Sequence, residues 1–403
     1  MKAHYDIVIN GAGMVGSALA CALADSGLSI AIVEPREPVL DWPDDSIDLR
    51  VSAITVASER IFHHLDVWPA MVRRGISPFR DMRVWDAGGS GRIHFDAAEI
   101  GAAHLGHVIE NRVIQAALLE GMQRHDNVDL LTPASVETMT VTDERVMLTL
   151  NDGNSVTARL LVGADGGNSP VRELAGITTS GWQYRQQAVV ANVATELPHQ
   201  ECAWQRFLSG GPLAFLPLAN GHSAIVWSTT PQHAESLLAM NETEFMAAVT
   251  EAFDSRLGRV TATSQRAAFP LRLQHARCYV RHRLALVGDA AHTIHPLAGQ
   301  GVNLGLLDAA TLAEVIADAR RAGKDIGRQH VLRRYERWRK GDNLLTMGVM
   351  DGFKRLFGAS STLLRHLRNS GLSMADSATP LKHFIMQRAM GLTGDLPSLA
   401  RSD

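Results

Sequence analysis

Between Tyr5 and Glu34 the chain restricts itself to one kind of local fold. Tyr5-Asp-Ile-Val-Ile-Asn10 is a short apolar strand, Gly11-Ala12-Gly13-Met14-Val15-Gly16 follows at once, and Ser17 to Asp25 continues as an Ala/Leu helix ending at Gly27. Ser29 to Val33 is a second strand, closed by Glu34. Strand, glycine-rich turn, helix and strand in this order make a βαβ unit that binds a dinucleotide. Gly11 makes the tight turn, Gly13 lets backbone reach a pyrophosphate, and Gly16 lets the helix pack on the strand. Glu34 stands where a carboxylate takes the ribose hydroxyls. The unit alone does not decide between a nicotinamide and a flavin dinucleotide.

A second stretch narrows the choice. Leu284 to Val287 is a short buried strand that ends abruptly at Gly288-Asp289, where a carboxylate can accept from a polyol hydroxyl. Gly299, Gly301 and Gly305 then remove side chains where a backbone must approach a flat or charged ligand, and Val302 to Val315 has helical spacing. Gly288-Asp289-Ala-Ala-His292, followed by Pro296, Gly299, Gly301 and Asn303, resembles the second flavin-binding motif of the FAD-dependent aromatic hydroxylases. Within that group it is most similar to the ubiquinone-biosynthesis hydroxylases, and the resemblance runs from about Asp6 to about Phe357.

The resemblance implies an α/β fold: a Rossmann-like FAD-binding domain of the aromatic hydroxylase type, a β-sheet substrate domain and a helical C-terminus. The expected FAD-binding domain is discontinuous, residues 1–75, 105–178 and 275–330. Residues 76–104 and 179–274 form the expected substrate domain, and 331–403 the helical segment. By resemblance, Asp48 to Ile54 crosses the flavin and presents Arg50, while Arg112 and Gln115 open an FAD-contacting helix running from Val108 to about Gln123. Asp165-Gly166, with Ser169 and Arg172 after it, is similar to the third motif at the pyrophosphate. The implied cofactor set is therefore Gly11, Ala12, Gly13, Met14, Val15, Gly16, Glu34, Arg50, Arg112, Asp165, Gly166, Asp289, Pro296, Gly299, Gly301, Val302 and Asn303. No side chain is implied as a catalytic acid or base. The family's chemistry runs through a C4a-hydroperoxide of FAD, formed with O2 and electrons from NAD(P)H or a partner reductase, and transferred to the ring of a polyprenylated phenol.

Each assignment has a plainer competitor. Arg50 could be a surface salt-bridge partner, Arg112 part of a capped surface helix, and Asp165 an N-cap for the helix starting near Pro170. Phe215, Pro217 and Trp227, with Phe207, are pocket candidates on the alternating strands Gln187–Ala194, Ala203–Leu208, Leu213–Leu218 and Ser223–Ser228, but aromatic residues in strands are often ordinary core. His292 and Pro296 are further pocket candidates. His292 and His295 lack a third nearby ligand, so no metal is expected, and ring packing or a hydrogen bond to the flavin edge suits His292 better.

At 403 residues the chain is long enough for two joined cores. Three scattered cysteines, Cys21, Cys202 and Cys278, indicate no disulfide framework, and the expected compartment is the cytoplasm. No leader or spanning segment is expected, and no nucleic-acid partner. The net charge of −3 hides an asymmetry: residues 320–403 carry sixteen Lys and Arg against seven Asp and Glu. From Val331 to Phe357 apolar residues recur every three or four positions with Arg and Lys between them, an amphipathic basic helix. It packs on its own domain, joins subunits of a homo-oligomer or biosynthetic complex, or rests peripherally on the inner face of a membrane. After Gly358 two short helices and a frayed end are expected. A hydroxylase of a soluble phenol, a flavin-fold reductase or cyclase, and a non-catalytic flavoprotein remain the alternatives.

Overall fold

The computed structural model describes residues 3–43, 46–293, 300–358 and 378–402. The first part runs β1 (His4–Asn10), α1 (Met14–Leu23), β2 (Ile30–Val33), β3 (Val51–Thr55), α2 (Val56–His64), α3 (Trp68–Arg74), β4 (Ser77–Phe79), β5 (Asp81–Asp86) and β6 (Arg92–Asp96). It continues with β7 (Gly106–Glu110), α4 (Asn111–Met122), β8 (Val128–Leu131), β9 (Val136–Val141), β10 (Val146–Leu150), β11 (Ser155–Gly163) and α5 (Pro170–Leu174). Next come β12 (Thr179–Thr195), β13 (Cys202–Leu208), β14 (Gly211–Pro217), β15 (Ser223–Thr229), α6 (Pro231–Ala239), α7 (Glu242–Ala252), β16 (Val260–Thr263) and β17 (Ala267–Ala276). The last part is β18 (Val280–Arg281), β19 (Leu284–Leu286), β20 (His292–Thr293), α8 (Gln300–Arg321), α9 (Gln329–Gly358) and α10 (Thr379–Ala389).

Two large sheets organise these elements. The first has the order β18-β19-β11-β1-β2-β8, and its four central pairings are parallel. Strands buried on both faces need continuous apolar runs, and Ile7, Val8, Ile9, Ile30 to Val33, Leu160 to Val162 and Leu284 to Leu286 supply them. The second sheet, β20-β17-β12-β15-β14-β13-β5-β6, is almost wholly antiparallel and is covered on one face by α6 and α7. A small sheet, β3-β7-β4, draws on residues 51–110. The fold is thus α/β with a second β-sheet layer and helices after it, as the sequence implies.

Several boundaries differ from expectation. Val108 to Glu110 belong to a strand, because they pair antiparallel with Val51 to Ala53, and the helix begins only at Asn111. β12 starts at Thr179 rather than Gln187, and its polar first half is held by pairing with β17, which the sequence pattern did not reveal. The expected domain boundary at 274/275 falls inside β17. The Asp152-Gly153 and Asn220-Gly221 turns do join β10 to β11 and β14 to β15. α9 is one continuous helix, and its first turns are core: Val331, Leu332 and Tyr335 are buried, as is Met347 farther along. Of the segment after Gly358, residues 359–377 and 403 lie outside the described residues, and the described part, 378–402, holds α10 and a short 3-10 turn at Ser398–Ala400. Ser398 N donates to Glu314 Oε2 at 2.7 Å, and Ala400 is buried beneath α2 and α8.

Candidate active site

Parallel strands deliver three motifs to one edge of the first sheet. After Asn10 the chain turns through Gly11, whose φ of 111° suits glycine. A Cβ on Gly11 would lie 2.6 Å from the Ala164 carbonyl oxygen, and one on Gly16 would collide with the carbonyl of Gly11. A Cβ on Gly13, by contrast, would meet no atom within 4 Å. The backbone above Gly13 is therefore open to a ligand, at the start of α1, where free N–H groups favour an anion. Ala12 N donates to Glu34 Oε2 at 2.8 Å, and Gln115 Nε2 donates to Ala12 O at 2.9 Å, so strand and helix brace the turn from both sides. Val15 packs against Gly288 and Gly305, and Met14 against the cluster under α2; both act as packing residues in this turn.

Asp165 follows β11 and meets the first motif. Its Oδ2 accepts from Asn10 Nδ2 and from Val171 N, both at 3.0 Å. Ser169 is the N-cap of α5, accepting from Arg172 N at 3.0 Å, so Asp165 assists the helix without being its cap residue. Asp165 Oδ1 is buried without a hydrogen-bond partner. Among the described residues nothing donates to it, so a donor from water or a bound molecule would satisfy it. Arg172 then links motifs, donating to Gly167 O at 2.9 Å and to Ala290 O at 3.0 Å.

Asp289 sits on a 3-10 turn, Gly288–Ala290, just after β19. Its side chain is exposed at the turn, and desolvation by the surrounding protein pushes its carboxyl pKa up. The positive charges of His292, Arg50 and Arg272 oppose that shift. Arg272 comes from β17, and its guanidinium is packed so closely on Gly167 that a Cβ there would lie 2.5 Å from it. Sequence reasoning missed Arg272, because nothing local marks one arginine among many in a half-exposed strand.

The turn itself is anchored by a buried network. Asp308 on α8 accepts from Gly288 N at 3.1 Å, Arg339 Nε at 3.0 Å and Asn343 Nδ2 at 3.1 Å, and its Oδ2 lies 2.5 Å from His292 Nε2. Burial alone would raise the Asp308 pKa, but His292, Arg339 and Asn343 hold it below the ordinary carboxylate value. His292 is buried and packs on Tyr279.

The other expected residues divide. Arg50 is exposed, with its guanidinium 5.9 Å from the centre of the Phe269 ring. Arg112 is occupied by the neighbouring loop: it pairs with Glu110, donates to Ser46 Oγ at 2.8 Å and lies over Trp42. Asn303 is buried and clasps β3, accepting from Thr55 N at 3.0 Å and donating to Ala53 O at 2.8 Å. Val302 packs beside it, with Gly301 half-buried before it at the start of α8. Gly166 has open space around its Cα. Phe215 and Trp227 are buried between the sheet and α6/α7, and Phe215 stacks on Phe253 at 3.8 Å. Pro217 lies two residues on from Phe215, on the same side of β14, and is buried. The pocket assignment of these three is thus corrected to core. The opposite side of β14 and β15 carries Leu216 and Ala224, which meet Val51 and Val108 of the small sheet. Pro296, Gly299 and His295 lie outside the described residues. Among the described residues one trio could hold a metal, Glu59, His104 and His107, and it does not include His292.

A turn open above Gly13, an acid on the adjacent strand, an orphaned Asp165 oxygen and an exposed Asp289 fit a flavin dinucleotide laid along the strand ends. Comparison with known proteins agrees. The FAD binding domain family matches residues 4–341. The chain is 40% identical over 387 residues to 3-demethoxyubiquinol 3-hydroxylase of Escherichia coli (strain K12), covering 96% of this chain and 98% of that protein. It is 37% identical over 430 residues to the mitochondrial ubiquinone biosynthesis monooxygenase COQ6 of Danio rerio, covering 95% and 89%. Among solved structures, p-nitrophenol 4-monooxygenase PnpA from Pseudomonas putida DLL-E4 shares the fold, with a TM-score of 0.79 at 19% identity over 96% of this chain and 99% of that one. The chain is an FAD-dependent monooxygenase and belongs to the ubiquinone-biosynthesis hydroxylase family.

Proposed function

We propose that this protein hydroxylates the aromatic ring of a polyprenylated phenol on the way to ubiquinone, using FAD, O2 and electrons from NAD(P)H, taken directly or through a partner reductase. The observation that carries the proposal is the double membership of the second flavin motif. Gly288-Asp289 follows a strand of the parallel sheet, and three residues later His292 and Thr293 pair with His275 and Gln274 of the other sheet. Cofactor motif and substrate sheet are therefore one continuous wall, which is what a reaction between a flavin and a ring laid against it requires.

FAD, when bound and reduced, would supply the O2 chemistry, without an acid–base pair of the protein. The chain's own residues bind, orient and shield. The turn at Gly11 and Gly13 with the start of α1 would hold the pyrophosphate, Glu34 the adenosine ribose, and Asp165 and Asp289 the remaining polar groups of the cofactor. Arg50 and Arg272 keep positive charge beside Asp289, which favours an electron-rich ligand there. Leu216 and Ala224, on the sheet side away from α6 and α7, pack on Val51 and Val108 and close that side with apolar contacts that exclude water.

Apolar exposure near the C-terminal helix supports a lipid-borne substrate. Leu344, Leu345 and Val349 of α9 are 46, 57 and 46% exposed, and no helix among the described residues is long and apolar enough to cross a membrane. Peripheral contact with an anionic surface suits both facts. The test uses FAD-loaded protein with a reductant, a prenylated phenol and isotopically labelled O2. The product should gain one labelled oxygen atom. Flavin reoxidation indifferent to the phenol, with no labelled product, would refute the proposal, and equal turnover of a tail-less phenol would point to a soluble substrate.

A further inference from the structure

Away from the flavin motifs, α2 and β7 bring together a donor set with no role in the chemistry above. Glu59 lies on α2, His107 on β7, and His104 just before β7. One ligand atom from each of the three lies within 4.8 Å of the others. Glu59 Oε2 is 3.2 Å from His107 Nδ1, and Glu59 Oε1 is 3.5 Å from His104 Nε2. Ligands about 2.1 Å from a tetrahedral zinc ion stand about 3.3 Å apart, so these separations are those of a coordination shell.

Ion pairs from Glu59 to the two imidazoles account for part of the cluster. His107 Nδ1 and Glu59 Oε2 are within hydrogen-bond length, yet neither makes a hydrogen bond of acceptable geometry, and both are buried. The His107 side chain is only 8% exposed and packs edge-on against Trp68. Two facing polar atoms, buried, close and not aimed along a hydrogen bond, suit a shared third atom better than a proton. A fourth ligand is at hand. His63, one helical turn after Glu59, has Nε2 3.9 Å from Glu59 Oε1, and a cleft of about 420 Å³ lined by Glu59, His104, Gln387 and Met390 could admit water.

We infer that Glu59, His104 and His107 form a site for one divalent transition-metal ion, zinc being the best match to two imidazoles and a carboxylate. The site ties α2 to β7, and the C-terminal residues Gln387 and Met390 form the far wall of its cleft. It is an accessory centre, because Val108, the neighbour of His107 on β7, is the residue that packs toward the substrate sheet. The two side chains point to opposite faces of the strand.

The experiment titrates Co²⁺ into FAD-loaded full-length protein previously dialysed against chelator, reading heat and the visible cobalt bands to the red of the flavin. One equivalent should bind with tetrahedral band intensity, and Zn²⁺ should displace it. Glu59→Gln and His107→Asn should each lower the affinity at least about 100-fold, beyond the loss from altering an outer-shell partner, while flavin content stays at the parent level. If His107→Asn loses flavin, His104→Gln, whose ring is 22% exposed, supplies the same measurement. Absence of a stoichiometric site in the parent, or unchanged affinity in variants that retain flavin, overturns the inference.

Discussion

Replacing Arg339 by Met tests whether the second flavin motif is held in place by charge. Arg339 and Asp308 are almost wholly buried, with side chains 1% and 0% exposed. Arg339 donates to Asp308 Oδ1 at 3.0 Å, Asn343 Oδ1 at 2.9 Å and Asp342 Oδ2 at 3.2 Å. Removing one partner of a buried pair costs about 3–5 kcal/mol because the other charge stays behind. Asp308 would keep His292, Gly288 N and Asn343, so the lower end applies, about 3 kcal/mol out of a total of roughly 5–15 kcal/mol. Methionine refills most of the volume, which keeps the cavity contribution small. Asp308→Asn should cost less, because Arg339 keeps Asp342 at 3.2 Å, and the double variant should cost less than the two together, since neither half of the pair is left facing an absent partner. The sign with pH follows from the lowered Asp308 pKa: the contribution is present above the unfolded carboxyl value and is lost as pH falls through the lower folded value. Between pH 5 and pH 8 (roughly one and four units above that unfolded value) the deficit should therefore stay constant. Urea unfolding of the FAD-loaded protein, followed by circular dichroism and flavin fluorescence, measures it. A loss under about 1 kcal/mol with additive single variants would refute the reasoning.

Gly13→Val should fold and yet emerge without flavin colour, because its side chain enters space that no protein atom occupies, whereas Gly16→Val should fail to fold through collision with Gly11; absorbance and circular dichroism separate the two outcomes. Asp289→Ala should weaken FAD binding by about 1–3 kcal/mol, read by equilibrium dialysis. Because the Asp289 pKa is raised in the folded state, its ionised form opposes folding above the ordinary carboxyl value, and the apoprotein of this variant should unfold no earlier than the parent at neutral pH. Burial pushes the Cys202 thiol up to about 12, so native protein at pH 8 should resist iodoacetamide at that residue, and unfolded protein should react; rapid native labelling of Cys202 would contradict the burial.

What the sequence made legible was local. The Gly11–Gly16 turn, the Asp-Gly and Asn-Gly hairpins and the α9 periodicity depend on contacts a few residues apart, and each is where it was expected. What stayed hidden depends on distant partners. Thr179 to Gln187 has no apolar alternation, yet it is a strand because β17 supplies its hydrogen bonds. The pocket aromatics failed for a related reason. Alternation separates the two faces of β14 and β15, but only α6 and α7, more distant along the chain, decide which face is inside. Phe215 and Trp227 are on the covered face, while the smaller Leu216 and Ala224 meet Val51 and Val108 of the small sheet. Asp308 carried a readable signal: it stands among Leu304, Leu307, Thr311, Leu312 and Val315, on the apolar side of its helix.

The same logic revises the basic tail. Arg339 and Asn343 stand four and eight residues after Tyr335 and four before Asn343 and Met347, which puts them on the buried stripe of α9 rather than its wet side. A charge there must find an opposite one, and Asp308 is its partner. Other cations of residues 320–403 are likewise paired within the molecule: Arg334 with Asp318, Lys382 with Glu99, Arg388 with Asp342 and Arg328 with Asp325. The formal excess of sixteen over seven therefore overstates the field offered to an anionic leaflet. Each free Lys or Arg is worth about 1 kcal/mol there, so attachment through charge alone would be weak and readily reversed by salt. Leu344, Leu345 and Val349 are untouched by this pairing and remain exposed. Co-sedimentation with anionic vesicles should accordingly persist in moderate salt and fall sharply in Leu344→Ser/Leu345→Ser. Ending the chain at Arg328 would instead remove the buried Tyr335 and Arg339 and measure folding. If the double serine variant pellets like the parent but no longer associates with itself, α9 joins copies of the chain, and the lipid contact is wrong.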